Sequence, residues 1–256
     1  MYKCTQSLRN PYFIAFILIF ACWFLLLFTS GALFDGYHFE DDHEIAAIHH
    51  QLTFHKISIL QTISQWIQDD YSIGRFRPLY YIHRIVIIRL LGFNLFWLSF
   101  YNFLLASFST FVLFVFAKKL NFSFVNSILF SLVTTLGLQS ETWWWLGPAE
   151  AIGTFLLAFS LIFLVFSIKA INLKLIWEVL FYIFVFLMSG SKESFILKIP
   201  ALVVLRIWLF SQKNLLSWYQ ALKKNLFSSI LLLFLCGGEL LYIKYYVGTS
   251  CRPFSK

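Results

Sequence analysis

The chain has 256 residues, of which 60% are hydrophobic, 21% aromatic and 12% charged, with a mean hydropathy of +0.77, a balance that excludes an ordinary soluble domain and marks an integral membrane protein. The formal charge of +8 does not point to nucleic acid, because the basic residues are scattered between apolar runs instead of being gathered on one soluble face. Those runs also lack the polar alternation of a transmembrane β-barrel, which leaves an all-α polytopic protein.

An α-helix needs about 17 to 25 apolar residues to cross roughly 30 Å of hydrocarbon, and the sequence predicts about seven such helices. The first, 12–29, follows Lys3 and Arg9; it is too long for a signal peptide, and no small-residue cleavage site follows it. The others are expected at 95–116, 122–139, 149–168, 175–190, 195–211 and 226–247. Lys118 and Lys119, then Lys169 and Lys174, then Lys213, Lys223 and Lys224 mark cytoplasmic segments by the positive-inside rule. The amino terminus is then cytoplasmic and the carboxyl terminus outside, in a plasma membrane of the bacterial inner-membrane kind.

Between the first two spans lies an outer loop of about 30–94, which holds seven of the twelve acidic residues and all six histidines. It opens on FDGYHFEDDHEIAAIHH, 34–50, where Asp41 and Glu44 have the spacing of a helix capping box. A cap alone does not account for Asp35, Glu40 and Asp42. Adjacent carboxylates can bind a divalent ion or raise one pKa enough for general-base work. His43, Glu44, His49 and His50 do not make the HExxH spacing of a zinc site. Further on, Ile45, Ile48, Leu52, Ile59, Ile63 and Trp66 recur at helical spacing, so the loop is expected to be a structured cap.

The next polar stretch is GRFRPL, 74–79, where Arg75 and Arg77 flank a phenylalanine and can present guanidinium forks to a phosphate. The run 79–92 is apolar but short and holds His83, Arg84 and Arg89, so it is expected to lie along the interface rather than cross it. In LQSETWWWLGPAEAIG the three tryptophans read as an interfacial aromatic belt, which leaves Glu141 and Glu150 unexplained. In MSGSKESFILKIP, Lys192 and Glu193 interrupt an apolar stretch and suggest a polar cavity. The four cysteines show no CxxC spacing and imply no disulfide or metal framework.

Taken in order and by membrane side, EDDHE, RFRPL, SET with GPAEAIG, and SKES resemble the GT-C superfamily of membrane glycosyltransferases, chiefly its protein O-mannosyltransferase-like and bacterial polyprenol-dependent branches. The similarity runs from about Phe34 to Pro200 and rests on the order of the motifs, none of which is specific alone. It implies transfer of a sugar from a polyprenyl-phosphate carrier to a glycan, lipid or protein acceptor on the outer face. By that resemblance Asp41 and Asp42 form the catalytic pair, and would also be the ligands of any divalent metal ion; no other cofactor is implied. Arg77 and Lys192 fall on the donor-phosphate site, with Arg75, Glu44, Glu150 and Glu193 as supporting groups of the polar cavity. Neither Arg77 nor Lys192 shows an ion partner nearby in sequence except Glu193 beside Lys192, so both are expected to converge on the carrier's phosphate.

Family members usually continue with further spans and often an outer soluble domain, whereas this chain ends at CRPFSK just after the seventh expected span, giving a single module over 1–256. Two rivals stand beside the enzyme: an inactive accessory subunit, and a transporter or flippase of lipid-linked saccharides. A transporter would show paired repeats and broken helices near the midplane, which the sequence lacks.

Overall fold

The computed structural model describes residues 10–34, 42–55, 57–137, 140–170 and 172–247. The chain is helical, with no strand among the described residues. Helix α1, Pro11–Thr29, starts where Asn10 caps the Tyr12 amide and Pro11 supplies a preset first turn. Its residues Ala15, Ile19, Trp23 and Leu27, four apart, form one buried stripe, flanked by half-buried residues such as Tyr12 and Phe20 and backed by an exposed face.

That stripe packs on α5, Leu95–Lys119, where the Trp23 indole donates to the Thr110 hydroxyl at 2.8 Å. The central layer is α5 with α8, Ala149–Lys169, and both are buried on several faces. Between them in sequence is α6, Phe124–Leu136, whose Ser127, Ser131 and Thr135 make a small polar stripe that lets it lie close to α5. Thr110 and Thr135 bond across that contact at 3.0 Å.

Expected amphipathic helices between the first two spans are present as α2, Asp42–Thr53, and α3, Ile59–Ser72, followed by α4, Pro78–Leu91. Ile45, Ile48 and Leu52 of α2 meet Tyr80, Tyr81, Ile85 and Ile88 of α4 in a hydrophobic cluster of their own, with Ile63 and Trp66 packed against it. Ile59 is the exception and stays exposed. The segment is therefore a folded cap, as its periodicity requires.

The last third of the chain holds α9, Lys174–Ser189, the short α10, Glu193–Ile196, then α11, Ile199–Asn214, α12, Trp218–Lys224, and α13, Leu226–Tyr242, which runs on through a π turn at Ile243–Val247. A partly buried ion pair ties three of these together. Arg206 of α11 donates from Nη2 to Glu178 Oε1 of α9 at 2.5 Å and from Nε to Asn225 Oδ1, at the start of α13, at 3.2 Å.

Among the described residues, five helical stretches are long and apolar enough to span a membrane: Pro11–Thr29, Leu95–Lys119, Ala149–Lys169, Glu193–Asn214, which takes in α10 and α11, and Leu226–Val247. The two other expected spans are shorter. Phe124–Leu136 and Lys174–Ser189 have 13 and 16 residues, or about 20 and 24 Å of helical rise.

Candidate functional site

Three connections converge at one end of the bundle. Segment 75–77 joins α3 to α4, the short helix α7, Glu141–Trp144, leads to the start of α8, and residues 190–198 join α9 to α11. They are tied together at the backbone, since Leu79 N–H donates to Gly190 O at 2.8 Å. A second tie needs a glycine. A Cβ at Gly153 would stand 2.4 Å from the Phe195 ring, so only glycine lets the α10 ring seat against α8.

The α7–α8 loop is held by its carbonyls. Asn102 Nδ2 donates to Trp145 O at 2.7 Å, Arg84 donates to Leu146 O, and the Tyr80 hydroxyl lies 2.7 Å from Gly147 O. The same hydroxyl is 3.2 Å from Glu44 Oε2, which places the expected supporting group Glu44 behind this loop rather than on the open cavity. Trp143 departs from the aromatic-belt expectation. It is buried, stacks edge-on against Trp23 at 5.8 Å and donates to Thr135 O at 3.1 Å, because an indole whose N–H finds a buried carbonyl gains more from the core than from the interface.

Between the three connections is a polar cavity of about 710 Å³. Its walls carry Arg75 and Arg77, then Glu141, Trp145 and Glu150, then Lys192, Glu193, Phe195 and Lys198. Five of the expected site residues are therefore gathered in one place: Arg75, Arg77, Glu150, Lys192 and Glu193. Asp41, like Asp35 and Glu40, lies outside the described residues, as does the Asp42 side chain. Among the described residues no group of three His, Cys, Asp or Glu side chains is placed to hold a metal ion.

The pairing of the cations differs from expectation. Arg77, 7% exposed, is not open; it forms a fork with the 2% exposed Asp70, with Nε to Oδ2 at 3.0 Å and Nη2 to Oδ1 at 2.7 Å. Burial alone would lower the Arg77 pKa, but the Asp70 hydrogen bonds and the surrounding groups outweigh it and hold the guanidinium above its ordinary value. Tyr81 completes the cluster, 3.0 Å from Arg77 Nη2, and its hydroxyl is pushed up by burial and then by the Glu44 charge. Lys192 pairs with Glu150 across the cavity, not with its sequence neighbour Glu193.

Two cations remain. Arg75 is exposed on the cavity wall, and Lys198 rests its ammonium 4.7 Å from the centre of the Phe195 ring; neither has a carboxylate in ion-pair distance among the described residues. Glu193 has the converse condition, with Oε2 buried and no hydrogen-bond partner among the described residues. The cavity thus offers both free donors and a free acceptor. Burial and then the Arg84 charge lower the His83 pKa to about 4.

Behind segment 75–78 is a second space, an apolar groove of about 590 Å³ between α9 and α13. Tyr71, Phe76 and Pro78 close one end; Tyr182, Phe186, Leu235 and Tyr242 line its length. One carboxylate, Glu239, enters it and accepts from Ser189 Oγ at 2.7 Å. Residues 75 to 78 therefore face two ways, with Arg75 and Arg77 in the polar cavity and Phe76 and Pro78 in the groove.

Asp70, Lys198 and Glu239 are the polar residues of this region that motif reading passed over. Asp70 is one of two adjacent acids near a helix end, and Lys198 and Glu239 are single charges within apolar runs. For Lys198 and Glu239 the available signal was the cost of an ionisable group at membrane depth. Comparison with protein-family models, with curated proteins and with solved structures gives no match.

Proposed function

We propose that the chain is a membrane glycosyltransferase of the GT-C type, taking a sugar from a polyprenyl-phosphate carrier. The observation that carries this reading is the two-faced segment 75–78, with a basic cavity on one side and an apolar groove on the other. An amphiphile with an anionic headgroup and a long apolar tail fits both spaces at once. The free Glu193 oxygen suits a sugar hydroxyl, which a buried acceptor needs as its donor.

In the reaction, an acceptor hydroxyl oxygen attacks the anomeric carbon and its proton passes to Asp41. The bond from that carbon to the phosphate oxygen breaks, its electron pair stays on the phosphate, and configuration inverts. Asp42 holds the acceptor or the sugar, and with Asp41 supplies the two carboxylates open to a divalent ion. Basic groups of the cavity stabilise the charge that develops on the leaving phosphate.

The lysine clusters support a seven-span topology in which this end of the bundle faces outside, α6 and α9 crossing as short helices. Reporter fusions after Lys119, Lys174 and Lys224 are expected to read cytoplasm, and those after Ser64 and Trp145 the outside. An external signal at Lys119 would refute it.

Activity is tested with the reconstituted chain and a panel of polyprenyl-phosphate sugars, measuring sugar release or transfer. Asp41→Asn is expected to lower turnover at least about 100-fold, the usual scale for a lost general base, while leaving insertion intact, since asparagine caps a helix as well as aspartate does. Donor moved across the bilayer without being consumed would instead identify a flippase, and binding without either outcome an accessory subunit.

A further inference from the structure

Four cations line the polar cavity, and their partners divide them into two classes. Arg77 and Lys192 are already compensated, by Asp70 and Glu150. The Asp70 fork and the Tyr81 hydroxyl engage Nε and Nη2 of Arg77, so its charge is balanced by a buried carboxylate before any external anion arrives. Arg75 and Lys198 carry no such commitment.

Their positions are also fixed in ways that leave their donors free. Lys198 lies over the Phe195 ring, a contact that engages the face of the ammonium and leaves N–H groups directed elsewhere. Phe195 is itself locked, 2% exposed and seated against Gly153. Arg75 comes from a different connection, between α3 and α4, next to Phe76, which is anchored in the apolar groove.

We propose that Arg75 and Lys198 are the residues that contact the carrier's phosphate, with Arg77 and Lys192 acting as the frame that shapes the cavity. This rests on the lipid-phosphate reading above and assigns its anion contacts. It also sets a preference. A glycosyl phosphodiester carries one negative charge, whereas the polyprenyl phosphate left after transfer is a monoester with a second ionisation near pH 6. Two uncommitted cations match the dianion, so the site holds the leaving group more tightly than the donor, which is the direction that favours the transition state.

The test uses the full chain in nanodiscs with three probes: farnesyl phosphate, its methyl diester, and farnesol. Wild type is expected to bind them in that order of decreasing affinity. Arg75→Gln and Lys198→Met are each expected to weaken farnesyl phosphate about tenfold, the scale of one lost charge-assisted hydrogen bond, and to erase most of the monoester preference. Lys198→Arg should retain both. The charge-neutral double variant Lys192→Met, Glu150→Gln should cost less than either single. Thermal unfolding checks that each variant is folded; Arg75→Met and Lys198→Gln serve if the first pair is not. Wild-type binding by the Arg75 and Lys198 variants, beside a discriminating wild type, overturns the assignment and leaves the lipid-phosphate reading standing. A wild type that binds farnesol as well as farnesyl phosphate overturns both.

Discussion

Asp70→Asn is expected to cost about 3–5 kcal/mol of stability, the penalty for removing one partner of a buried ion pair. For a chain of this size that is roughly a 10 °C fall in the unfolding midpoint in detergent. Asparagine keeps the shape of the side chain but not the charge, so the 7% exposed Arg77 guanidinium would be left without its counter-ion. The loss should propagate, because Arg77 is the N-cap residue of α4 and Leu79, two residues on, holds Gly190. Arg77→Lys should fall between wild type and Asp70→Asn, since an ammonium keeps the charge but cannot form the fork to both carboxylate oxygens. A midpoint for Asp70→Asn within a degree or two of wild type would mean that Arg77 is compensated by something other than Asp70.

The second large effect is expected at Arg206. Arg206→Gln leaves the partly buried Glu178 carboxylate among α9, α11 and α13 without its counter-ion, with neutral hydroxyls such as that of Ser228, 3.4 Å away, beside it. The expected cost is again about 3–5 kcal/mol. Replacing both residues with leucine should be much milder, because no uncompensated charge remains. The functional reading separates this site from Asp70: α9 and α13 are the two sides of the apolar groove, so the single variant should loosen lipid-tail binding while a water-soluble phosphate probe binds as before. Unfolding midpoints of the single and double variants, measured side by side, decide the first point, and a comparison of short- and long-tailed phosphates decides the second.

Much of the candidate site was legible because ionisable residues are rare in this chain. RFRPL, PAE and SKES stand out against apolar surroundings, and desolvation requires such groups to find water, a partner or one another. The structure brings those three stretches to one cavity. What the sequence could not show was which charges cancel. Asp69 and Asp70 are neighbours near a helix end, and only the turn of α3 decides that Asp70 points inward to Arg77. Lys192 and Glu193 look like a pair because they are adjacent, yet Lys192 reaches across to Glu150, 42 residues away. One member of the tryptophan triplet was misjudged for a related reason: composition places tryptophan at interfaces in general, whereas Trp143 found a specific carbonyl and a specific ring in the core. Helix lengths were a third limit. Polar residues at 123, 126 and 127 read as part of an apolar run, but Ser123 caps α6 and shortens it.

Residues 75 to 78 have a parity as well as a composition. Their side chains alternate between the polar cavity and the apolar groove, and Pro78 is held in place by the start of α4. One residue inserted between Phe76 and Arg77 would turn Arg75 toward the groove and Phe76 toward the polar cavity, although no residue had been lost. Two inserted residues would restore the order. A one-residue insertion that would pass unnoticed in most loops is here expected to exchange the side chains offered to the polar cavity and the apolar groove.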